Sequence, residues 1–263
     1  MGSVMDALRV TFLGTGTSQG VPRIGCRCPV CVSPDFRDTR TRCSLFVESP
    51  GLNLVVDTGA DFRTQCLRER VLKVDAVLYT HAHTDHVLGF DDLRPFCQMD
   101  RPLPLYGSAA TLGQLAQMFA FAFDPAVRVP GYVYPQPNVV AGEFALGEIS
   151  VLPLPLPHGR TTSTGYLFRR GEVPLLAYLT DCKTVPAEVE AAVTGVRHLV
   201  IDALRKRPHP THLSVSEALE VVGRIGAGNS WLTHLCHDHL HGDLEAELPA
   251  GVRVAYDGLR LDI

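Results

Sequence analysis

The chain has 263 residues, 46% of them hydrophobic, and a formal net charge of −4 at pH 7. This length and composition suffice for a buried core in one large domain or two small ones. The acidic balance gives no general attraction to nucleic acid or to an anionic membrane, and no apolar run approaches the roughly 20 residues that cross a bilayer.

Short β-rich runs alternate with helical patterns along the chain. The predicted strands are residues 8–14, 44–49, 53–59, 75–81, 102–107, 149–156, 164–169, 175–181, 198–204, 229–234 and 251–258. The predicted helices are residues 61–72, 108–122, 186–193 and 215–225. Ser214 and Glu217 have capping-box spacing before the last helix. The alternation predicts an α/β or α+β sandwich, with proline-rich surface excursions at 125–137 and 153–157.

The cysteines and the amino terminus bear on the cellular compartment. Five of the eight cysteines are scattered singly, without the rhythm of a disulfide scaffold, which suits a reducing environment. The opening MGSVMDAL lacks the charged and apolar regions of a secretory signal. We therefore expect a cytoplasmic protein. We also expect a single domain over residues 1–263, with a flexible amino terminus over residues 1–7.

The remaining three cysteines are concentrated in the loop IGCRCPVC, residues 24–31. Cys26, Cys28 and Cys31 lie close enough in sequence to bind one ion. A structural zinc site needs four ligands, usually cysteine and histidine, so the loop predicts a zinc site whose fourth ligand comes from elsewhere in the chain.

The segment YTHAHTDHVLGF, residues 79–90, is the densest in metal-binding side chains. It places His81, His83, Asp85 and His86 directly after an apolar strand. Three histidines and a carboxylate within six positions have no packing rationale, and they suit Zn, Mn or Fe. The segment therefore predicts a metal centre.

Further ligand candidates stand where other predicted strands end. His158 follows the strand at 149–156, Asp181 closes the strand at 175–181, and His234 closes the strand at 229–234. Each has an ordinary structural explanation when taken alone. Their recurrence at strand ends, from which side chains converge at one edge of a sheet, favours a shared site.

These motifs together resemble a known superfamily. HAHTDH at 81–86, with the downstream His, Asp and His, resembles the metallo-β-lactamase superfamily over essentially the whole chain. LGTGTSQGVPRIGCRCPVC and LTHLCH resemble its PhnP-like phosphodiesterases, whose best-known activity opens a five-membered cyclic phosphate on a phosphorylated ribose. The resemblance implies an α/β fold, the metallo-β-lactamase αββα sandwich, with two metal ions, Mn or Zn, at its edge.

The same resemblance assigns the ligands. One ion would be held by His81, His83 and His158, and the second by Asp85, His86 and His234, with Asp181 bridging them. Water activated by the two cations would attack phosphorus, so no side-chain nucleophile is required. The structural zinc would take His237 as its fourth ligand, with Cys236, His239 and His241 as rivals.

The resemblance also supplies groups outside the metal shell. His212 aligns with an active-site histidine and Asp202 with its acidic partner, a pair suited to protonating the leaving oxygen. Asp57 would support the metal-bearing loop, and Cys182 is expected to pack rather than attack. The remaining candidates are His209 as a loop residue, Arg205, Lys206 and Arg207 as a solvated charge run, and Gln19, Arg42 and Ser44 as pocket-lining residues.

The predicted function is hydrolysis of a small, five-membered cyclic phosphodiester of ribose or a nucleotide to a monoester. One alternative is an RNA 3′-end processing nuclease of the same superfamily, although the chain has no Lys/Arg-rich insertion resembling the basic arm of such enzymes. Another is a non-hydrolytic protein like those of pyrroloquinoline quinone biosynthesis. The expected partner is a small phosphodiester, with neither membrane nor nucleic acid, and the resemblance is compatible with a homodimer.

Overall fold

The computed structural model describes residues 8–97 and 101–263. Its strands are β1 (Arg9–Gly14), β2 (Ser44–Ser49), β3 (Leu52–Val56), β4 (Ala76–Leu78), β5 (Leu103–Gly107), β6 (Pro135–Val139), β7 (Phe144–Leu146), β8 (Ile149–His158), β9 (Thr161–Arg170), β10 (Val173–Leu179), β11 (His198–Asp202), β12 (Asn229–Thr233), β13 (Val252–Val254) and β14 (Arg260–Asp262). Its helices are α1 (Phe62–Glu69), α2 (Thr84–Val87), α3 (Ala109–Met118), α4 (Ala120–Phe123), α5 (Ala187–Val193), α6 (Val215–Ile225) and α7 (His241–Glu247), with 3₁₀ turns at Phe36–Asp38 and Phe90–Phe96.

The strands form two seven-stranded sheets. The first has the order β14-β1-β2-β3-β4-β5-β6, and the second has the order β13-β12-β11-β10-β9-β8-β7. Both contain parallel and antiparallel neighbours, for example β3 with β4 and β2 with β3 in the first sheet. The first sheet consists of β1 to β6 together with β14, which returns to its edge. The second sheet consists of β7 to β13.

Three buried apolar clusters define the layers. Between the sheets, Phe12 and Val47 of the first sheet belong to one cluster with Tyr166 and Val200 of the second. The outer face of the first sheet packs against α1, α3 and the 3₁₀ turn at Phe90–Phe96. The outer face of the second sheet packs against α5, α6 and α7. The result is the αββα sandwich, because sheets covered on both faces bury apolar residues on both sides of each strand.

The proline-rich segment 153–157 lies in β8 rather than in a surface excursion. β9 pairs with β8 along its whole length, whereas β7 reaches only Ile149–Val151, so the rest of β8 forms a sheet edge. Pro153, Pro155 and Pro157 alternate along this edge. A proline there costs no ladder hydrogen bond, because its missing N–H would face the unpaired side.

Other elements differ from the sequence prediction mainly at their ends. The strand expected at 75–81 ends at Leu78, and that expected at 251–258 is confined to Val252–Val254. The expected helix at 108–122 is divided into α3 and α4. The sequence did not predict β6, β7, β14, α2 or α7. The expectation of a flexible terminus over residues 1–7 lies outside the described residues.

We expect Ser214→Ala to lower the free energy of unfolding by about 1 kcal/mol, because Ser214 caps α6. Its side chain accepts from the Glu217 backbone N–H, and the Glu217 carboxylate accepts from the Ser214 backbone N–H at 2.7 Å. Urea unfolding measures the loss. Ser216→Ala, at an exposed position in the same turn, is the control and should change stability by a few tenths of a kcal/mol at most. Equal losses in both variants would refute the capping role.

Candidate metal centre and active site

The loop after β4 carries most of the predicted ligands and lies against the end of β3. The Thr58 backbone N–H donates to the His86 carbonyl, and the Gly89 N–H donates to the Thr58 carbonyl. A Cβ added to Gly59 would lie 2.1 Å from the Asp85 carbonyl oxygen. The loop can therefore approach β3 this closely only because residue 59 is glycine.

Three of the histidines meet at the first predicted ion position. His81 Nε2 lies 2.8 Å from His83 Nδ1, and His158 Nε2 lies 3.3 Å from the same atom. Nitrogen ligands about 2.0–2.1 Å from a tetrahedral zinc lie about 3.3 Å apart. The first sheet supplies His81 and His83, and the second supplies His158, so both halves of the sandwich contribute to this group.

The remaining four predicted ligands meet beside the histidine group. His86 Nε2 lies 3.3 Å from Asp85 Oδ2 and 3.3 Å from Asp181 Oδ2. His234 Nε2 lies 3.2 Å from the other oxygen of Asp181, Oδ1. The Asp181 side chain is 2% exposed, so its carboxylate is buried between imidazoles from the two halves of the sandwich.

The donor set fits divalent metal ions. Buried His86 Nε2 and His234 Nε2 have no hydrogen-bond partner within the described part of the chain, although buried polar atoms are nearly always paired. A metal ion beside Asp181 would satisfy both nitrogens. Neutral imidazoles with carboxylates suit Zn or Mn, which supports the ligand assignment while leaving it a prediction.

Asp57, which the resemblance assigns to support of this loop, is hydrogen-bonded to it. It accepts from His86 Nδ1 at 2.7 Å and from the backbone N–H and hydroxyl of Thr80 at 2.8 and 2.7 Å. Burial opposes charge on the His86 imidazole, but the carboxylates of Asp181, Asp57 and Asp85 outweigh it and raise the pKa of His86 well above its usual value, so a metal ion bound here would displace a proton from Nε2. The Asp57 contact leaves Nε2 as the nitrogen of His86 that faces Asp181.

His212 and Asp202 form a buried pair next to this group. His212 Nδ1 lies 2.7 Å from Asp202 Oδ2, and the His212 ring stacks on that of His234 with centroids 4.6 Å apart. Burial lowers the pKa of His212, but the charge and hydrogen bond of Asp202 more than offset this and raise it. The same Asp202 oxygen accepts from the Cys182 backbone N–H at 3.0 Å.

Cys182 and the other secondary candidates have structural positions. Burial raises the pKa of the Cys182 thiol well above its usual value, which agrees with packing rather than attack. His209 lies in the loop before Thr211, whose backbone N–H lies 3.3 Å from the histidine Nδ1. The exposed charge run has partners in carbonyls and carboxylates: Arg205 with the Pro208 carbonyl, Lys206 with Glu247 and Arg207 with Asp238.

A pocket of about 440 Å³ opens onto the predicted ligands. His83, Asp85, His158, Asp181 and His234 line it, together with His212. The sequence prediction missed the other lining residues, which are Ser18, Gly159, Arg160, Thr161 and Thr211. Gly159, Arg160 and Thr161 directly follow His158, and this adjacency was the signal in the sequence that could have identified them as lining residues.

Gln19, Arg42 and Ser44, the candidate pocket residues near the cysteine loop, are not among the residues that line this pocket. Ser44 is buried, and its hydroxyl donates to the Asp57 carbonyl at 2.9 Å. Arg42 pairs with Asp61 at 3.0 Å. Gln19 does not line the pocket, which the neighbouring Ser18 does. Sequence proximity to the cysteine loop therefore did not identify the pocket wall.

The structure brings the cysteine loop together with His237, the predicted fourth ligand. His237 Nδ1 lies 3.3 Å from Cys26 Sγ, 3.3 Å from Cys28 Sγ and 3.4 Å from Cys31 Sγ. Zn–S and Zn–N bonds of about 2.3 and 2.0 Å place tetrahedral S and N ligands about 3.5 Å apart. A hydrogen bond from the Cys31 backbone and the His237 contact help to lower the pKa of Cys28 to about 6, whereas burial raises the pKa of Cys31 to about 11, so a bound cation is needed to hold all three thiols as thiolates.

The rival fourth ligands lie outside this group of four. His241 Nδ1 instead contacts the buried Arg40 guanidinium at 3.2 Å. His237 follows His234 by three residues, and the Leu235 backbone N–H between them donates to the Thr15 carbonyl. Through the contacts of its cysteines with His237, the cysteine loop is therefore joined to the segment that carries His234, a predicted active-site ligand.

The fold and the site define the class of protein. A family model described as "Beta-lactamase superfamily domain" matches residues 52–235. The chain therefore belongs to the metallo-β-lactamase superfamily. This superfamily generally binds divalent metals such as zinc, and the His and Asp clusters described above fit such a site.

Two known proteins are each 37% identical to this chain. A crystal structure of a diphosphatase from the PhnP family matches with a TM-score of 0.90 and 37% identity, covering 98% of this chain and 97% of that one. An octanoyltransferase of Porphyromonas gingivalis (strain ATCC BAA-308 / W83) is 37% identical over 96% of this chain and 51% of its own. The chain thus spans about half the length of that relative.

Proteins of coenzyme PQQ synthesis are also similar. Coenzyme PQQ synthesis protein B of Methylobacterium radiotolerans is 30% identical over 74% of this chain and 72% of its own. Zinc-bound PqqB from Methylobacterium extorquens shares the fold, with a TM-score of 0.81 and 22% identity over 97% of this chain and all of that one. None of the helices in the described ranges has the length and hydropathy needed to cross a membrane.

We expect Cys28→Ser to lose one tightly bound zinc and to lower the melting temperature, because a structural zinc contributes its binding energy to folding. Asp181→Ala should remain folded and lose turnover. Elemental analysis and thermal unfolding measure both effects, and Cys236→Ser, beside His237 but outside the group of four, is the control. Equal destabilisation by Cys28→Ser and Asp181→Ala would contradict separate roles for the two sites.

Proposed function

We propose that the protein is a dinuclear metal-dependent hydrolase that opens small cyclic phosphodiesters of ribose or nucleotides to monoesters. The observation that carries this proposal is the position of Asp181 between His86 and His234, beside the three-histidine group and the His212–Asp202 pair. The superfamily membership and the likeness to a PhnP-family diphosphatase support hydrolysis at phosphorus.

In the proposed reaction, different residues of the chain would hold the two metal ions. His81, His83 and His158 would hold one ion and Asp85, His86 and His234 the other, with Asp181 contacting both. When bound, two divalent ions lower the pKa of water and offset the charge of a phosphate group. Asp57 keeps the His86 ring oriented through its 2.7 Å contact with Nδ1.

In the proposed reaction, His212 delivers the proton that the leaving oxygen needs. One of its nitrogens lies within 4.8 Å of both a carboxylate oxygen of Asp181 and a nitrogen of His158. Asp202 holds Nδ1, so Nε2 remains for the substrate. As the bond from phosphorus to the ester oxygen breaks, the proton on Nε2 passes to that oxygen, and Asp202 stabilises the charged ring beforehand.

The size and charge of the molecule favour a small substrate over a polymer. A pocket of about 440 Å³ matches a sugar phosphate or a nucleotide. The net charge of −4 gives long RNA no general attraction. A ring-opening reaction also keeps the leaving oxygen attached to the product and close to His212.

A second candidate is hydrolysis of a diphosphate, which the name of the 37% identical PhnP-family relative favours. The attacked atom is again phosphorus, so the same metal ligands would serve. The leaving group would then be a phosphate, which departs with less need of a proton than an alkoxide does. The two candidates therefore differ in how strongly they depend on His212.

We expect protein loaded with Mn or Zn to open nucleoside 2′,3′-cyclic phosphates with a higher kcat/KM than it cleaves linear dinucleotides, nucleoside diphosphates or precursor tRNA. A competition assay with all four substrates measures this preference, and Asp181→Ala is the inactive control. Preference for the diphosphate would establish the second candidate. Preference for precursor tRNA would favour a nuclease, and no turnover by metal-loaded protein would favour a non-hydrolytic role.

We expect His212→Ala to retain its full metal content and to lose about 10²-fold or more in kcat, the usual scale for a general acid. The loss should shrink with a nitrophenyl phosphodiester, because nitrophenolate departs without protonation. Steady-state rates with both leaving groups, together with elemental analysis, test this role. An equal loss for both leaving groups would show that His212 positions the substrate instead.

A further inference from the structure

The turn that follows β10 contains a lysine as well as a predicted metal ligand. The chain runs Asp181-Cys182-Lys183, so Lys183 is two positions from the carboxylate that lies between His86 and His234. Its side chain is partly buried, and it is not one of the residues that line the active-site pocket. Any part that Lys183 plays in the reaction is therefore exerted through other residues.

The backbone on either side of Cys182 holds this turn in place. The Lys183 N–H donates to the Pro157 carbonyl at 2.8 Å, one residue before the end of β8. The Cys182 N–H donates at 3.0 Å to Asp202, the carboxylate that is paired with His212. The Lys183 side chain therefore extends from a backbone that is joined to two neighbouring parts of the site.

The Lys183 side chain reaches the loop that carries His212. Its ammonium group lies 2.6 Å from Glu217 Oε1 and 3.5 Å from the His212 carbonyl oxygen. The other carboxylate oxygen of Glu217 accepts from the Ser214 backbone N–H at 2.7 Å. One carboxylate thus joins the ammonium group to the backbone two residues after His212.

Lys183 and Glu217 form a charged pair. Burial raises the pKa of Glu217, but the hydrogen bonds from Lys183 and Ser214 outweigh it and lower the pKa. Hydrogen bonds between charged groups are shorter and stronger than those between neutral groups, which agrees with the separation of 2.6 Å. The pair therefore connects the turn after β10 to the first turn of α6.

Other bonds hold the loop at the residues next to His212. The Leu204 N–H donates to the Leu213 carbonyl at 2.9 Å, which joins the loop to the chain beyond β11. His158 Nδ1 donates to the Thr211 carbonyl at 3.0 Å. These bonds do not involve the carbonyl of His212 itself, which is the group that faces the Lys183 ammonium.

We propose that Lys183 is a positioning residue that, through its ion pair with Glu217, holds His212 at the right distance from the metal centre. The inference rests on the proposed function, because it takes His212 as the proton donor. Without the ammonium group the loop keeps its bonds at Thr211 and Leu213, so it stays folded while the imidazole is held less closely. A displacement of about 1 Å at a reacting group can cost 10²-fold in rate.

The first test replaces Lys183 by a side chain of similar length that cannot donate. Lys183→Met should lower kcat for ring opening by about 10- to 100-fold, and by no more than His212→Ala does. With a nitrophenyl phosphodiester the change should stay within about 3-fold, because that leaving group needs no proton. Metal content and KM should be unchanged. Lys183→Arg, which can still donate to both acceptors, should restore most of the rate.

The matched control is Lys206→Met. Lys206 lies on the same connection between β11 and α6, and its exposed pair with Glu247 is another lysine–glutamate contact. Loss of that pair should leave kcat near that of the unaltered protein for both leaving groups. A loss of kcat in Lys206→Met as large as that in Lys183→Met would show that the effect is a general one of charge removal, and it would overturn the assignment.

A double-variant cycle separates positioning of His212 from a general loss of structure. In a His212→Ala background, Lys183→Met should lower kcat by less than about 2-fold, because the residue that it positions is absent. An equal loss with and without His212, or an equal loss for both leaving groups, would overturn the positioning role.

An NMR measurement keeps this inference distinct from the proposed function. In zinc-loaded protein the Nδ1 proton of His212, which Asp202 accepts at 2.7 Å, should give a downfield signal that disappears in His212→Ala. Lys183→Met should make this proton exchange with water several-fold faster, whereas Lys206→Met should not. If the unaltered protein opens no cyclic phosphodiester, the proposed function fails, and the exchange rate still tests Lys183. An unchanged exchange rate in Lys183→Met would overturn the inference.

Discussion

The buried carboxylate of Asp181 is the contact on which the active site depends. It lies 3.3 Å from His86, which follows a strand of the first sheet, and 3.2 Å from His234, which follows a strand of the second. Burying a carboxylate is costly unless positive charge surrounds it. Burial raises the pKa of Asp181, but the two imidazoles outweigh this and hold the pKa well below its usual value. Cations held at this position would offset this buried charge as well as supply the chemistry.

The backbone is adapted to this junction at three strand ends. Asp57, Asp181 and His234 each follow a strand with φ of 62°, 54° and 59°, a left-handed conformation that is uncommon for residues other than glycine. The backbone carbonyls of two of these residues accept hydrogen bonds from serine hydroxyls on neighbouring strands. The Ser44 hydroxyl donates to the Asp57 carbonyl, and the Ser163 hydroxyl donates to the Asp181 carbonyl, each at 2.9 Å. The turns at Asp57 and Asp181 thus keep their carbonyl groups paired.

The residues that the structure brings together at the candidate site were easier to single out from the sequence than the edges of the fold. Residues at strand ends were recognisable because apolar runs stop at ligand-type side chains such as His158 and Asp181. β6 and β14 were missed because Pro135–Val139 is rich in proline and polar residues and Arg260–Asp262 is too short for an alternating pattern to show. Ser18 and Thr211 were missed as lining residues because their position beside the predicted ligands is a property of the folded chain. The pairing of His212 with Asp202 came from resemblance, since ten residues separate them.

Anomalous diffraction from crystals grown with zinc or manganese tests the dinuclear centre most directly. We predict two ions about 3.5–4 Å apart, the usual spacing of two-metal hydrolases, with the Asp181 carboxylate in contact with both. A third anomalous peak, at the zinc edge, should lie among Cys26, Cys28, Cys31 and His237. A single ion that leaves Asp181 uncoordinated, or no ion at His86 and His234 under saturating metal, would contradict the two-metal site.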